Sequence, residues 1–390
     1  MHDRRLKVAI VCQRCGREVA GGSEYHAFLL AEKMRPFWDV EILTTCASDY
    51  MTWENFYPEG PETIGSVPVR RFLVDHPRDV AAFNAYSERV AADPESVTIP
   101  EAEHWMTLQG PMSRSLIRYI SDHRNEYHRF VFFTYLYAST YYGLRAVSDK
   151  AFLVPTAHDE WPIYLPIWDA WFGLPRAFVF NTRDERRFLQ RRFPACTLKG
   201  PVVGVGMNMP ASPSARRFRE KFDIKDPYIL YIGRVDENKG CGQLFCYFNR
   251  YKHAHPGELK LVVAGKAIMG IPAAPDILAT GFISERDKFD ALAGCEFLIN
   301  PSPYESLSMV LLEAWSLNRP VLVNSACNVL VAQCRRSNGG LWYGDYAEFE
   351  ACVRYLTREN NLGEGMNRFV DKNYGWPEVT GKLSNLLRLY

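Results

Sequence analysis

Twice in this sequence a short, uninterrupted apolar run gives way to a glycine-bearing polar turn and then to a stretch of helix length. LKVAIVCQ, from Leu6 to Gln13, leads through a glycine-bearing loop to AFLLAEKM; YILYIGR, from Tyr228, leads through VDENKG to a helix-like run beginning near Gln243. A strand apolar at consecutive positions, rather than at alternate ones, is buried on both faces, as in a parallel sheet covered by helices. Further runs of this kind are VEILTT, FVFF, AFLVPT and AFVFNT in the first half and LKLVVAG, EFLINPS and RPVLVNS in the second, mostly separated by helix-length segments. The alternation implies an α/β chain with two Rossmann-like, doubly wound parallel sheets. A length of 390 residues suits two domains of ordinary size. PVVGVGMNMPASPSA, rich in Gly, Pro and Ser, reads as the hinge between them, and the cleft between the halves is the expected ligand site.

Charge narrows the partners. Forty-six basic residues against forty-five acidic ones lack the footprint of a nucleic-acid binder, so no nucleic acid is expected, and a small molecule or glycan fits better. The apolar run in MHDRRLKVAIVCQ is too short for a secretion signal, and no uncharged segment approaches the roughly 20 residues that cross a bilayer. A cytoplasmic location is therefore expected. The ten cysteines are scattered through apolar stretches such as LTTCAS and LAGCEF, where free Cys packs as a small hydrophobe.

VCQRCGREVAGGSEYH, from Val11 to His26, admits several readings. A zinc site at Cys12 and Cys15 needs two more ligands, and no second C-x-x-C exists. A redox role is weaker than that of incidental loop cysteines, and the glycines do not fall as G-x-G-x-x-G. What remains is Gly21-Gly22 ahead of a helix with Ser23 as its expected N-cap, where bare backbone would admit an anion to the helix N-terminus. A tight turn that needs glycine for its dihedrals explains the pair equally well.

The most informative stretch is PSPYESLSMVLLEAWSLNRPVLV, from Pro301 to Val323. It lies between two apolar runs, so SMVLLEAWSL should be a helix, with Glu305 in the loop at its entrance and Glu313 well inside it. One carboxylate would accept hydrogen bonds from sugar hydroxyls, the other from the hydroxyls of a ribose. Backbone N–H groups of Leu307, Ser308, Met309 and Val310 would face a diphosphate in between. Glu313 is flanked by LL and AW, so burial is expected, and a buried carboxylate needs a partner.

This stretch resembles the retaining, family-four glycosyltransferases of the GT-B fold (glycosyl transferases group 1), whose E-x7-E signature is carried by Glu305 and Glu313. GRVDENKG is similar to the family's second element, with Arg234 and Lys239 as the basic pair that binds the donor diphosphate. GFISERDKFDALAGCEFLINPS matches the intervening run, with Ile283 where backbone meets the base. Gly21-Gly22 matches the family's glycine loop, which favours donor phosphate binding there. LVPTAHDEWP matches its strand and turn, with His158 lining the reacting sugar. The resemblance is strong from about Tyr228 to Tyr374 and weaker before. Where many relatives carry Phe-Gly after E-S, this chain has Leu307-Ser308.

The resemblance implies a GT-B arrangement: 1–205 as a Rossmann-like acceptor-side domain, 206–375 as the nucleotide-sugar donor domain, the two facing across a cleft, and 376–390 as a helix crossing back to the first. It implies hexosyl transfer from a nucleotide-diphosphate sugar with retention, to a glycan, lipid-linked or small-molecule acceptor, in bacterial surface polysaccharide or glycoconjugate synthesis. His158, Arg234, Lys239 and Glu305 are then the catalytic set. No cofactor and no metal are expected, since Arg234 with Lys239 can replace a cation and no D-x-D element is evident. Among the many aromatic residues of the first half, Tyr135, Trp161 and Tyr164 are the acceptor-side candidates. RDERRFLQRRFPA, from Arg183, raises a peripheral contact with the inner face of the membrane, although a solvated helix face is the commoner explanation. The rival readings are a non-catalytic sugar-nucleotide binding protein and a nicotinamide-dependent oxidoreductase, the latter weakened by the missing glycine fingerprint.

Overall fold

The computed structural model describes residues 5–16, 19, 21–209, 212–358, 362 and 365–389. The chain forms two compact units, one of 1–206 with 376–390 and one of 207–375. Of the segment read as a hinge, Pro210 and Ala211 lie outside the described residues.

Over the described residues the first unit holds seven strands: β1 (Lys7–Val11), β2 (Asp39–Thr45), β3 (Gly60–Ile64), β4 (Val67–Phe72), β5 (Arg129–Phe133), β6 (Ala151–Val154) and β7 (Ala177–Phe178). Their order is β3-β4-β2-β1-β5-β6-β7, parallel throughout except for β3, which pairs antiparallel with β4. Consecutive residues of the central strands serve opposite faces. Val8 and Ile10 of β1 pack in one core with Met34, Trp38 and Val131, while Ala9 and Val11 pack in the other with Phe130, Phe132 and Leu153. That is why LKVAIV is apolar without alternation.

The helix Trp376–Leu389 belongs to this unit. Val379, Leu383 and Leu387 join the core of Val8, Ile10 and Trp38, and the Trp38 indole donates to Ser384 Oγ at 3.2 Å. Each such fully buried Val or Leu contributes about 1.5–3 kcal/mol. The chain leaves this unit at Gly206, where a Cβ would lie 2.3 Å from the Trp376 ring, so exit and re-entry are packed side by side.

The second unit, again over the described residues, has β8 (Tyr228–Ile232), β9 (Lys260–Ala264), β10 (Ile277–Gly281), β11 (Leu298–Asn300), β12 (Val321–Asn324) and β13 (Gly340–Tyr343) in the order β10-β9-β8-β11-β12-β13. All neighbouring pairs are parallel. Ile229, Tyr231, Leu261, Val263 and Ile299 form one core with Leu244 and Phe248 of the helix Cys241–Ala254.

The structure corrects the strand reading at the margins. AFVFNT supplies only the two residues of β7, after which Phe180 makes a single bridge to Val202. β3, β10 and β13 at sheet edges, and β4 inside the first sheet, are not among the apolar runs of the sequence; GPETI alternates between half-buried and exposed, ILATG buries only Ile277, and VPVRRF alternates buried with half-buried residues, because one face of each is incompletely covered.

Candidate functional site

In the second sheet the winding runs from β8 to β9 and β10 on one side and to β11, β12 and β13 on the other. The reversal lies between β8 and β11, and ligands of such sheets bind at the carboxyl ends of the strands flanking that point. β8 is followed by Arg234 and the short 3-10 turn Glu237–Lys239; β11 is followed by residues 301–308 and the helix Met309–Ser316.

Gly240 lets these two segments meet. Its φ is 72°, and a Cβ there would lie 2.4 Å from the Pro301 carbonyl oxygen, so a side chain is excluded by both conformation and contact. Lys239, one residue earlier, reaches Glu305 with Nζ 2.8 Å from Oε1. Asp236, only 5% exposed, accepts from the Asn238 backbone N–H at 2.9 Å and from Arg234 Nε at 2.7 Å. It thereby shapes the turn and orients the guanidinium. Sequence reasoning passed over Asp236, although Asp two residues before Asn is the pattern of an Asx turn.

The Met309–Ser316 helix begins with Ser308 as N-cap and no side-chain cap bond, leaving its first N–H groups for other acceptors. Met309 and Val310 open the helix half-buried, while Leu307 and Ser308 are buried just before it. The Ser308 hydroxyl accepts from Asn300 Nδ2 at 3.1 Å, so the extra hydroxyl of the Leu307-Ser308 departure is engaged by the protein. Ile283 is half-buried, one residue before the N-cap of the helix Glu285–Gly294.

Glu305 and Glu313 do not share a partner. Glu313, 2% exposed, pairs with Lys288 of the Glu285–Gly294 helix, Nζ to Oε1 at 2.6 Å. Burial pushes the Glu313 carboxyl up and Lys288 opposes that shift. Burial alone would lower Lys288, but Glu313 and Glu285 outweigh it and raise the ammonium. The partner expected for a buried Glu313 thus exists, on a helix the motif does not include.

In the first unit the reversal lies between β1 and β5. The N-cap of the helix Gly22–Met34 is Gly21, not Ser23. Ser23 lies inside the helix, and its hydroxyl is 2.6 Å from that of Thr134, which is 2.9 Å from that of Thr156. Thr134 and Thr156 both have positive φ, 63° and 51°, a strained conformation for β-branched residues. The three hydroxyls tie together the segments that follow β1, β5 and β6. Neither glycine has a positive φ: Gly21 is extended at −131° and Gly22 is helical. A turn that demands glycine dihedrals is therefore not what this pair provides.

His158 follows β6, with Nδ1 3.1 Å from Glu160 Oε1. Beneath it lies Glu185, fully buried, whose two oxygens accept the backbone N–H groups of Ala157 at 2.8 Å and Asn181 at 2.7 Å. Burial pushes its carboxyl up to about 8, against those backbone donors. Glu185 fixes the peptide next to His158. In RDERRF nothing distinguishes it from solvent-facing neighbours, so no sequence signal reveals it.

The aromatic candidates separate. Tyr135 is 1% exposed and packed edge-on against Trp168, so it is a core ring and not an acceptor contact. Trp161 is half-buried, its ring 5.1 Å from that of Trp105, and the Tyr164 hydroxyl donates to Asp159 at 2.6 Å. Cys12 and Cys15 are buried free thiols, with burial pushing Cys15 up to about 12. Among the described residues no group of three or more His, Cys, Asp or Glu is arranged to hold a metal ion. The basic run forms the helix Arg183–Arg192, with Glu185 and Leu189 inward and Arg183, Arg187 and Arg191 exposed. No helix of the described residues is long and apolar enough to cross a membrane.

Residues 226–359 match the family described as glycosyl transferases group 1. Alpha-D-kanosaminyltransferase of Streptomyces kanamyceticus is 27% identical over 135 residues, covering 30% of this chain and 34% of that protein. The N-acetylgalactosamine-N,N'-diacetylbacillosaminyl-diphospho-undecaprenol 4-alpha-N-acetylgalactosaminyltransferase of Campylobacter jejuni is 26% identical over 162 residues, 39% of this chain and 40% of that protein. The matched stretches thus span well under half of either relative. Likeness of fold extends over the whole chain. Sucrose-phosphate synthase from Thermosynechococcus elongatus superposes with a TM-score of 0.73 at 14% identity, covering 99% of both chains. Anabaena HepE, solved in complex with UDP and glucose, gives 0.68 at 12% identity, covering 99% of this chain and 100% of that one. The fold is GT-B.

Proposed function

We propose that this GT-B chain, with glycosyl transferases group 1 sequence across its second unit, moves a hexose from a nucleotide-diphosphate sugar to a glycan, lipid-linked or small-molecule acceptor, with retention. The observation that carries the reading is the grouping of Arg234, Lys239 and Glu305 at the β8/β11 reversal, cations and carboxylate side by side. A donor diphosphate would draw the Lys239 ammonium and the Arg234 guanidinium, while sugar hydroxyls replace Lys239 as the donors to Glu305. Charge grows on the leaving diphosphate in the transition state, where two fixed cations stabilise it without a metal ion.

On the acceptor-side unit, His158 lines the reacting sugar and Gly21-Gly22 admits the phosphates. Front-face displacement, with the leaving phosphate helping to deprotonate the acceptor hydroxyl, accounts for retention without a covalent nucleophile. No cofactor is needed beyond the sugar donor. A lipid-linked acceptor is supported by the Campylobacter relative, whose name specifies a diphospho-undecaprenol substrate. That acceptor class would place the enzyme in the cytoplasm, touching the inner face of the membrane through exposed arginines of Arg183–Arg192, in bacterial surface polysaccharide or glycoconjugate synthesis.

The test is a thermal-shift panel of UDP, GDP, ADP, dTDP and their common sugars, with and without EDTA, followed by NMR of the product's anomeric configuration. Stabilisation by one nucleotide, indifferent to EDTA, with a retained anomer, is expected. An inverted product or a divalent-cation requirement refutes those parts of the reading, and binding without turnover of any acceptor leaves a sugar-nucleotide binding protein instead.

A further inference from the structure

We propose that Lys288 is a specificity-determining positioning residue: by occupying one oxygen of Glu313 it leaves the other for a ribose hydroxyl of the donor nucleotide. The inference rests on the donor-site reading above, in which Glu313 receives the ribose, and adds a residue outside the E-x7-E motif.

Glu313 lies in the second turn of the Met309–Ser316 helix, which starts just beyond the carboxyl end of β11. Lys288 lies in the first turn of Glu285–Gly294, which starts just beyond β10. Lys288 therefore sits in the helix turn nearest the carboxyl edge of the sheet, and Glu313 one turn deeper in its own helix. Lys288 Nζ donates to Glu313 Oε1 at 2.6 Å and to Glu285 Oε1 at 3.0 Å, engaging two of its three protons.

The second oxygen of Glu313 is different. Oε2 is buried, and no hydrogen-bond partner reaches it among the described residues. A buried acceptor left unsatisfied costs about 1–3 kcal/mol, more for a charged group. A ligand hydroxyl that donates to Oε2 removes that cost, whereas a deoxy ligand leaves the already buried oxygen unpaired. Sites built to bond a hydroxyl discriminate strongly for this reason.

Lys288 is what keeps this acceptor in service. A carboxylate accepts at both oxygens only when ionised, and burial favours the neutral acid. The ammonium holds the negative charge in place and fixes the rotation of the carboxylate through Oε1, so the direction of Oε2 is set before the nucleotide arrives.

The test is calorimetry of UDP, GDP and ADP, each beside its 2′-deoxy and 3′-deoxy counterpart, with the full-length wild type and its variants. For the nucleotide that binds, one deoxy counterpart should bind wild type about tenfold or more weakly. That ratio should fall to within about threefold in Lys288→Met, and Lys288→Arg should restore it. A merely structural role would weaken all ligands alike and leave the ratio unchanged. Should Lys288→Met fail to fold, Lys288→Gln, which can hydrogen-bond but carries no charge, is expected to lose the ratio as well. Undiminished discrimination in every folded Lys288 variant, with loss in Glu313→Gln, overturns the role of Lys288 while the donor-site reading stands. No discrimination in wild type, or discrimination that survives Glu313→Gln, removes Glu313 from the ribose and the inference with it.

Discussion

Lys239 Nζ lies 2.8 Å from Glu305 Oε1, a contact between residues 66 positions apart that joins the turn after β8 to the loop after β11. The same two side chains would bind opposite ends of a nucleotide sugar, the ammonium its diphosphate and the carboxylate its hydroxyls. Removing either should cost turnover more than fold. Lys239→Ala and Glu305→Gln are each expected to lower kcat by about 10²–10³, the range seen when one group stabilising transition-state charge is deleted. Steady-state rates beside circular-dichroism melts check this; full activity in either variant would show the pair to be structural.

Gly22 and Gly21 should respond in opposite ways to an added methyl. A Cβ at Gly22 would meet nothing within 4 Å, whereas one at Gly21 would lie 2.1 Å from Glu24 Oε2, whose carboxylate pairs with Arg14 at 2.6 Å. Gly22→Ala should keep or slightly raise the melting temperature, since alanine suits a helix better, yet weaken nucleotide binding about tenfold if phosphate lies against that backbone. Gly21→Ala should destabilise by about 1–3 kcal/mol through the forced shift of Glu24. Unchanged nucleotide affinity in Gly22→Ala would move the phosphate elsewhere.

Acid sensitivity should trace in part to His26. It is 3% exposed, its ring 5.1 Å from that of Phe133, and burial pushes its pKa down to about 3. The folded state therefore stays unprotonated where the unfolded chain, near the ordinary value of about 6.5, takes up a proton. Stability from this residue is present above that value and is lost as pH falls toward 3. At pH 5 the loss is about 2 kcal/mol, from roughly 1.4 kcal/mol per unit. Urea unfolding of wild type and His26→Leu at pH 7.5 and pH 5 should show a smaller drop in the variant; parallel drops would assign the acid loss to other groups.

Trp161 and Tyr135 should separate acceptor recognition from packing. Trp161→Ala is expected to raise the acceptor KM about tenfold with the donor KM nearly unchanged. Tyr135→Ala, which empties a buried aromatic site, should instead destabilise by about 3–5 kcal/mol. Equal acceptor and donor KM changes in Trp161→Ala would count against its acceptor role.

Local pattern carried much of this molecule. Strands such as β1, β5, β8 and β9 are legible because both their faces are buried, which leaves an apolar residue at nearly every position. The Arg234, Lys239 and Glu305 motifs are legible because each is compressed into a loop beside such a strand. The edge strands β3 and β10 were not, because water on one side permits polar residues and erases the run.

What the sequence determined by itself was therefore the alternation of strand and helix, the two-unit plan, and which short segments follow which strands. Tertiary structure alone decided the partners: Lys288 for Glu313, the Ala157 and Asn181 backbone for Glu185, Thr134 for Ser23, and the core rather than a ligand for Tyr135. The physical reason is range. Periodicity and turn chemistry act over a few residues and leave their mark locally, whereas the partner of a buried charge or ring is set by which elements pack together, 25 residues apart for Lys288 and Glu313 and 111 for Ser23 and Thr134.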